Sequence, residues 1–304
     1  MSTAGSASKA PGGNATLAGR RVARIGFGAM HLAGGHGRPA PEPESAAAMV
    51  RSAVDEGVNH IDTAQFYAAG RCNELIRDAL TPYPEDLVLV TKVGAEHDDQ
   101  AGLVLAQRPE QLRAGVEANL ATLGVERLDV VNLRRADAPP GLLAEGDQVV
   151  DLDSQLAELI ALRDEGKIGG IGLSNVSAEQ LRHALPAGIA CVQNAYSLLD
   201  RASGPVLDVC REHDIAWVPF FPLGSAFPSV PKVTAHPAVI ETAASLGVTP
   251  AQVGLAWLLA TYAHTLLIPG TVDPAHMKEN VAAGDVLLDR ETIDTLDGIA
   301  SSAG

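Results

Sequence analysis

Short apolar runs alternate with helical patterns along nearly the whole 304-residue chain, and this alternation limits the fold more than any other feature. Strand-like runs fall at 24–28, 58–61, 86–91, 128–133, 168–173, 189–193, 215–219 and 265–268. Helical patterns fall at 44–56, 73–80, 109–123, 153–165, 178–185, 205–213, 236–246, 250–261, 274–283 and 290–299. Proline and glycine punctuate them: Pro41 and Pro43 precede the first helix and Gly57 ends it, and Pro109 opens the third while Gly124 closes it. Ahead of the first strand, 16–18 and 22–24 flank Gly19-Arg20 as a short hairpin. About eight strand–helix units without a break in composition predict an α/β fold with a parallel sheet, most simply a closed (β/α)8 TIM barrel with an N-terminal β-hairpin. An open doubly wound sheet is the alternative. It is weakened because Gly26-Phe27-Gly28 follows the first strand where a G-x-G-x-x-G turn is needed. Residues 1–15, rich in Ser, Ala and Gly, read as a disordered tail, and 16–304 as one barrel domain.

The formal net charge of −15 argues against nucleic-acid and membrane-surface partners. An anionic ligand would need a local cluster of cations inside a cleft. No run of about 18 apolar residues predicts a membrane span. Cys72, Cys191 and Cys210 have no metal or redox spacing and read as buried thiols in a reducing cytoplasm. His97 lies in an acidic loop at 96–99 that lacks the ligand spacing of a metal site, so no metal is expected. Oligomeric state stays open.

In a parallel barrel, chemistry sits where strands end. The strand ends here carry Asp62 to Tyr67, Lys92, Arg134-Arg135, Ser174-Asn175, Gln193 to Tyr196, Phe220 to Gly224, and Pro269 to Thr271. A lysine at the end of a buried strand needs a partner, and Asp62 can supply it. A cation beside Tyr67 would lower the phenol pKa and make it a better acid near neutral pH. His31 and His36 lie in the Gly-rich loop after the first strand, where they could touch substrate. His60 shares the side of Asp62 on its strand and reads first as a structural hydrogen-bonding residue. Trp217 and Trp257 read as core, and the loop around 139–148 as a wall of the pocket.

These residues stand in stretches that resemble the aldo-keto reductases from about residue 16 to 300: GFGAM at 26–30, HIDTAQFY at 60–67, VTK at 90–92, LDVVNL at 128–133, IGLSN at 171–175, VQNAYSLLDR at 192–201, PLG at 222–224, and IPG followed by EN at 279–280. The resemblance implies a (β/α)8 barrel that binds NAD(P)H across its mouth and reduces a small-molecule carbonyl. It implies Tyr67 as proton donor, Lys92 as the group that lowers its pKa, and Asp62 as the partner of Lys92. It implies Tyr196 stacked on the nicotinamide, with Ser174, Asn175 and Gln193 on its carboxamide. Gly28, Met30, Asp62, Phe221, Pro222, Leu223, Gly224, Gly270, Thr271, His276, Lys278 and Asn280 would complete the cofactor site.

One departure stands out: Arg134 occupies the place of the family's usual catalytic histidine. Arginine does not titrate in the working range, but it can donate to a carbonyl oxygen or bind an anionic substituent. The alternative is that it turns towards a carboxylate. LDVVNLR at 128–134, VPFFPLG at 218–224 and LLIPGT at 266–271 resemble a bacterial branch that includes pyridoxal reductases, which implies reduction of pyridoxal to pyridoxine with NADPH. A secondary-metabolism ketone or imine reductase is the alternative enzyme, and a nicotinamide-binding redox-sensing subunit the alternative of another class. His276 and Lys278 favour NADPH. Asp273 would repel a 2′-phosphate and keeps NADH open.

Overall fold

Each apolar run of the first half pairs in parallel with the next, so the sheet grows strand by strand around an axis. The computed structural model describes residues 10–34, 39–98, 100–224 and 231–299. An antiparallel hairpin of β1 (Asn14–Leu17) and β2 (Arg20–Ala23) comes first. The parallel sheet runs β3 (Phe27–Gly28), β4 (His60–Asp62), β5 (Val88–Val93), β8 (Leu128–Arg134), β9 (Ile168–Ser174), β10 (Ile189–Gln193) and β11 (Ala216–Trp217). A second hairpin, β6 (Ala95–Asp98) with β7 (Gly102–Leu105), stands after β5. Residues 265–267 close the ring by parallel bridges, Thr265 to Trp217 and Leu267 to Ile25. The Leu266 N–H donates to the Trp217 carbonyl and the Leu267 N–H to that of Arg24, each at 2.8 Å. The expected (β/α)8 barrel is therefore the observed one, with its eighth strand held by bridges rather than by a full ladder.

The helices are α1 (Pro43–Asp55), α2 (Arg71–Leu80), α3 (Pro109–Leu123), α4 (Leu152–Asp164), α5 (Ala178–Ala184), α6 (Gly204–Glu212), α7 (Pro237–Leu246), α8 (Pro250–Thr261), α9 (Pro274–Ala282) and α10 (Arg290–Gly298). Their starts follow local chemistry. Asp151, Ser177, Thr249 and Asp289 each accept a backbone N–H of the first turn, and Pro sits in the first turn of α3 and α8. Among the described residues no single helix is long and apolar enough to cross a membrane.

Side chains alternate between the barrel interior and the helix layer. Val88, Val90, Val130, Cys191, Ala216, Val218 and Leu266 form one cluster inside the barrel, and Leu17 and Val22 of the first hairpin join it. Glycines on β9 leave room for larger neighbours: a Cβ on Gly172 would lie 2.1 Å from Asn132 Oδ1. The opposite parity packs Ile61, Leu89, Val131, Leu133, Leu173, Val192 and Trp217 against the helices.

Several expectations need correction. Residues 10–15 of the expected tail are structured, because their backbone pairs with the first strand: the Ile25 N–H donates to Pro11 O and that of Arg24 to Gly13 O. Residues 1–9 lie outside the described residues, as does His36. The hairpin turns at Ala18-Gly19, both at positive φ, one residue earlier than expected. His97 lies in β6, opposite Leu103, rather than in a loop.

His60 is 1% exposed, and neither ring nitrogen has a hydrogen-bond partner of normal geometry. The expected structural hydrogen bond is thus replaced by close packing, with the ring filling the space over Gly26. Burial pushes its pKa down to about 4, against smaller opposing effects of the Ala23 and Leu267 carbonyls. The unfolded chain therefore binds this proton first. The stability His60 leaves intact is full above about pH 6.5 and falls as the pH drops towards 4, by about 3 kcal/mol. Urea unfolding of the wild type and of His60→Leu between pH 7 and 4 should show a flatter pH dependence in the variant. Parallel curves would exclude His60 as the titrating group.

Candidate active site

The strand ends deliver Asp62 from β4, Lys92 from β5, Arg134 from β8, Ser174 from β9 and Gln193 from β10 to one mouth. Asp62 and Lys92 are 3% and 7% exposed and form a direct ion pair. Lys92 Nζ also donates to Thr63 O at 3.0 Å, and Gln193 Nε2 donates to the second Asp62 oxygen at 2.7 Å. Both Asp62 oxygens therefore have polar partners inside the barrel, as a buried carboxylate requires.

Tyr67 follows in the loop after β4, with Lys92 Nζ 5.1 Å from its ring centroid. Burial acts to lower the Lys92 pKa, but Asp62 and Tyr67 outweigh it and hold the ammonium above its usual range. The phenol differs from expectation. Burial is its largest influence and raises its pKa, while Lys92 and Arg134 pull the other way without winning. Tyr67 is thus a protonated phenol beside two cations.

A neutral polar cluster behind β4 and β5 holds the loop that carries Tyr67. Asn73 Nδ2 donates to Gln65 Oε1, Asn119 Oδ1 and Thr122 Oγ1, each at 3.0 Å. Thr63 Oγ1 donates to Asn73 Oδ1 at 2.8 Å, and Thr91 Oγ1 to Asn119 Oδ1 at 2.6 Å.

Arg134 turns away from carboxylates. Its Nη2 donates to Pro140 O at 2.7 Å and its Nη1 to Ser174 Oγ at 3.3 Å, and the guanidinium lies 5.4 Å from the Phe220 ring centroid. Among the described residues no acidic side chain pairs with it. Burial lowers its pKa and Tyr67 acts against that shift. The loop at 139–148 does wall this side, since it supplies Pro140.

Other expected residues fall in two groups. Gly28 meets the last strand so closely that a Cβ would lie 2.5 Å from Ile268 O, and Gly270 meets Gly28 equally closely. Phe221, at φ 55, starts the turn that ends at Gly224, with Pro222 and Leu223 between. Met30 lies in the short helix Ala29–Ala33 that follows β3. Thr271 Oγ1 accepts the Asp273 N–H, and Asp273 caps α9 through the Ala275 N–H, which leaves His276 and Lys278 exposed on that helix and Asn280 partly buried. His276 Nδ1 lies 3.7 Å from Asp273 Oδ2.

Tyr196 is not where the resemblance put it. Tyr196 is 7% exposed, stacked on Trp257 at 6.0 Å and edge-on to Trp217 at 5.7 Å. It belongs to the helix layer, because it has the opposite parity to Gln193. Phe220, named in the sequence only as part of a strand end, has the right parity, two residues beyond the interior Val218, and the Arg134 guanidinium lies over its ring. Asn175 donates its side-chain NH2 to Ala138 O at 2.6 Å and Arg135 O at 3.3 Å, so it clamps a loop.

The residues fit a nicotinamide carboxamide on one direct observation. Gln193 Oε1 is buried without a hydrogen-bond partner, while its Nε2 is committed to Asp62. An orphan acceptor at the barrel mouth suits an amide N–H. No group of three or more His, Cys, Asp or Glu among the described residues could hold a metal ion.

The aldo/keto reductase family model matches residues 24–301. Pyridoxine 4-dehydrogenase of Escherichia coli strain K12 is 42% identical over 287 residues, spanning 94% of this chain and 97% of that protein. The crystal structure of an aldo/keto reductase from Klebsiella pneumoniae in complex with NADP and acetate matches with a TM-score of 0.74 at 26% identity, over 92% of each chain. The glycerol dehydrogenase of Gluconobacter oxydans shares the fold, with a TM-score of 0.79 at 21% identity over 98% of this chain and 97% of that one.

The ion pair makes a stability prediction. Lys92→Met strands a buried carboxylate and should cost about 3–5 kcal/mol, whereas Asp62→Leu combined with Lys92→Met should recover most of that loss. Thermal melts of both variants read the difference. A double variant as unstable as Lys92→Met would mean that Asp62 is not held by this pairing.

Proposed function

The chain belongs to the aldo/keto reductase family, and on that premise we propose that it reduces the aldehyde of pyridoxal or a close analogue with NADPH, using Tyr67 as the proton donor. The observation that carries the substrate reading is Arg134, a half-buried cation beside Tyr67 with no acidic partner among the described residues. Pyridoxal has an ionisable hydroxyl next to its aldehyde, and a guanidinium is suited to that oxygen. The similarity to pyridoxine 4-dehydrogenase supports the same reading.

A bound nicotinamide dinucleotide supplies the hydride that reduces the carbonyl carbon. Gln193 Oε1 would accept from its carboxamide, and Phe220 would offer the aromatic face in place of Tyr196. Gly28, Gly224 and Gly270, where backbones pass closely, would border the dinucleotide. Preference for NADPH rests on His276 and Lys278 near the start of α9 and on the NADP held by the Klebsiella relative. The Asp273 carboxylate opposes it, though the cap it makes to the Ala275 N–H already occupies one oxygen.

Tyr67 carries its proton throughout the working pH range because burial raises its pKa. It donates that proton to the carbonyl oxygen as negative charge develops there. Lys92 stabilises the phenolate left behind, and Asp62 keeps Lys92 charged and aimed. Arg134 holds the neighbouring phenolate of the substrate and so orients the aldehyde.

Tyr67→Phe should lower kcat about 10²-fold or more with NADPH affinity nearly unchanged, measured by steady-state kinetics and fluorescence titration. A variant that keeps most of its kcat would show another acid at work. Arg134→Ala should raise KM for pyridoxal about tenfold with little change in kcat, and leave benzaldehyde turnover as it was. A large loss of kcat on both aldehydes would instead assign Arg134 to the carbonyl oxygen. Faster turnover of ketones or imines than of pyridoxal would replace the substrate but not the reaction class.

A further inference from the structure

We infer that Gln155, on α4, and the Arg135–Asp137 pair are positioning residues that set the direction of the Arg134 guanidinium through the loop at 136–144. The inference rests on the reading of Arg134 given above. Arg134 is aimed by one strong contact, the Pro140 carbonyl at 2.7 Å, so its direction depends on what holds that loop.

The loop closes at its base, where the Ala144 N–H donates to Ala136 O at 2.9 Å. Next to that base, Arg135 makes a bidentate contact with Asp137, at 2.8 Å from Nε and 2.7 Å from Nη2. Its Nη1 reaches past the pair to Gln155 Oε1 and to Val150 O at 2.9 Å. Gln155 is fully buried and uses its other end on Gln107, donating to the backbone O at 2.7 Å and to Oε1 at 3.0 Å. Gln107 Nε2 in turn donates to Arg134 O at 2.8 Å. One buried amide therefore ties both ends of the arginine pair. It fixes the Arg134 backbone through Gln107, and it fixes the loop that carries Pro140 through Arg135.

The chemistry explains the cost of this arrangement. Two adjacent arginines at a strand end repel each other, and the chain gives its carboxylate to Arg135 alone. Arg135 is neutralised in the outer layer, and Arg134 keeps an uncompensated charge at the mouth. Gln155 and Gln107 are neutral, so they hold geometry without cancelling that charge. A carboxylate in either place would weaken the attraction for an anionic substrate group.

The test compares Gln155→Met in the wild type and in Arg134→Ala, with pyridoxal and benzaldehyde as substrates. Gln155→Met should raise KM for pyridoxal about 3–10-fold, with benzaldehyde turnover and NADPH affinity unchanged. In the Arg134→Ala background the same substitution should change nothing further. Asp137→Ala, at an exposed position, should give the same pattern at about 3-fold and carries the comparison if Gln155→Met does not fold. A pyridoxal KM that stays at the wild-type value in both variants, while Arg134→Ala raises it, overturns the inference. So does a loss that persists in the Arg134→Ala background. If Arg134→Ala itself leaves the pyridoxal KM unchanged, the reading of Arg134 fails first and the inference falls with it.

Discussion

The buried pair of Asp62 and Lys92 is the interaction on which the mouth of this barrel depends. Two charges at 3% and 7% exposure are tolerated because they pair with each other and with further polar partners. Lys92 takes a carboxylate oxygen and the Thr63 carbonyl, and Asp62 takes Lys92 and the Gln193 amide. Those contacts join β4, β5 and β10 across the barrel axis. They also orient Gln193 so that its amide oxygen is left unmet, and they bring an ammonium to the Tyr67 ring. The proposed proton donor and the acceptor suited to a carboxamide are thus both set by one ion pair.

Because that pair is neutral as a unit, the charge of the mouth is decided by Arg134. The whole chain carries −15, which would repel an anion at long range. At short range the balance reverses, since Arg134 is partly desolvated and no acidic side chain among the described residues pairs with it. A histidine there would be able to lose its charge, whereas arginine cannot. On the proposed reading, a permanent charge stands at this position instead of a titratable one, and the proton chemistry falls to Tyr67.

Much of this was legible in the sequence because barrel periodicity is strict. The α3 and α8 boundaries agree with Pro109–Leu123 and Pro250–Thr261, where proline opens each helix. β10 agrees with Ile189–Gln193. The site residues on strands were placed by a run of alternating side chains that ends at Asp62, Lys92 or Arg134. The failures have equally local causes. The β6–β7 hairpin pairs over residues with strongly polar neighbours, so AEHD resembled a loop. The phenol was expected to be more acidic, but the desolvation that counters Lys92 depends on packing that no spacing reveals. Tyr196 was carried over by resemblance against its own parity. Counting in twos from Val218 would have led to Phe220.

The parity that places functional groups inside the barrel also fixes what must surround them. The residue next to each functional side chain points outward at the same height, where the helix layer leaves little water. Thr63 beside Asp62, Thr91 beside Lys92, Arg135 beside Arg134 and Asn194 beside Gln193 are all buried polar residues. Each finds partners in the outer layer: Asn73 for Thr63, Asn119 for Thr91, Asp137 and Gln155 for Arg135, and the Val176 backbone for Asn194. An apolar residue at these positions would pack as well, but it would not tie a strand end to a loop. Hydrogen bonds of fixed direction do so, and a fully satisfied set loses little stability relative to apolar packing. The outer polar ring thus turns a generic barrel rim into one where loop carbonyls such as Pro140 O have definite positions, and those positions in turn aim the charged groups at the mouth.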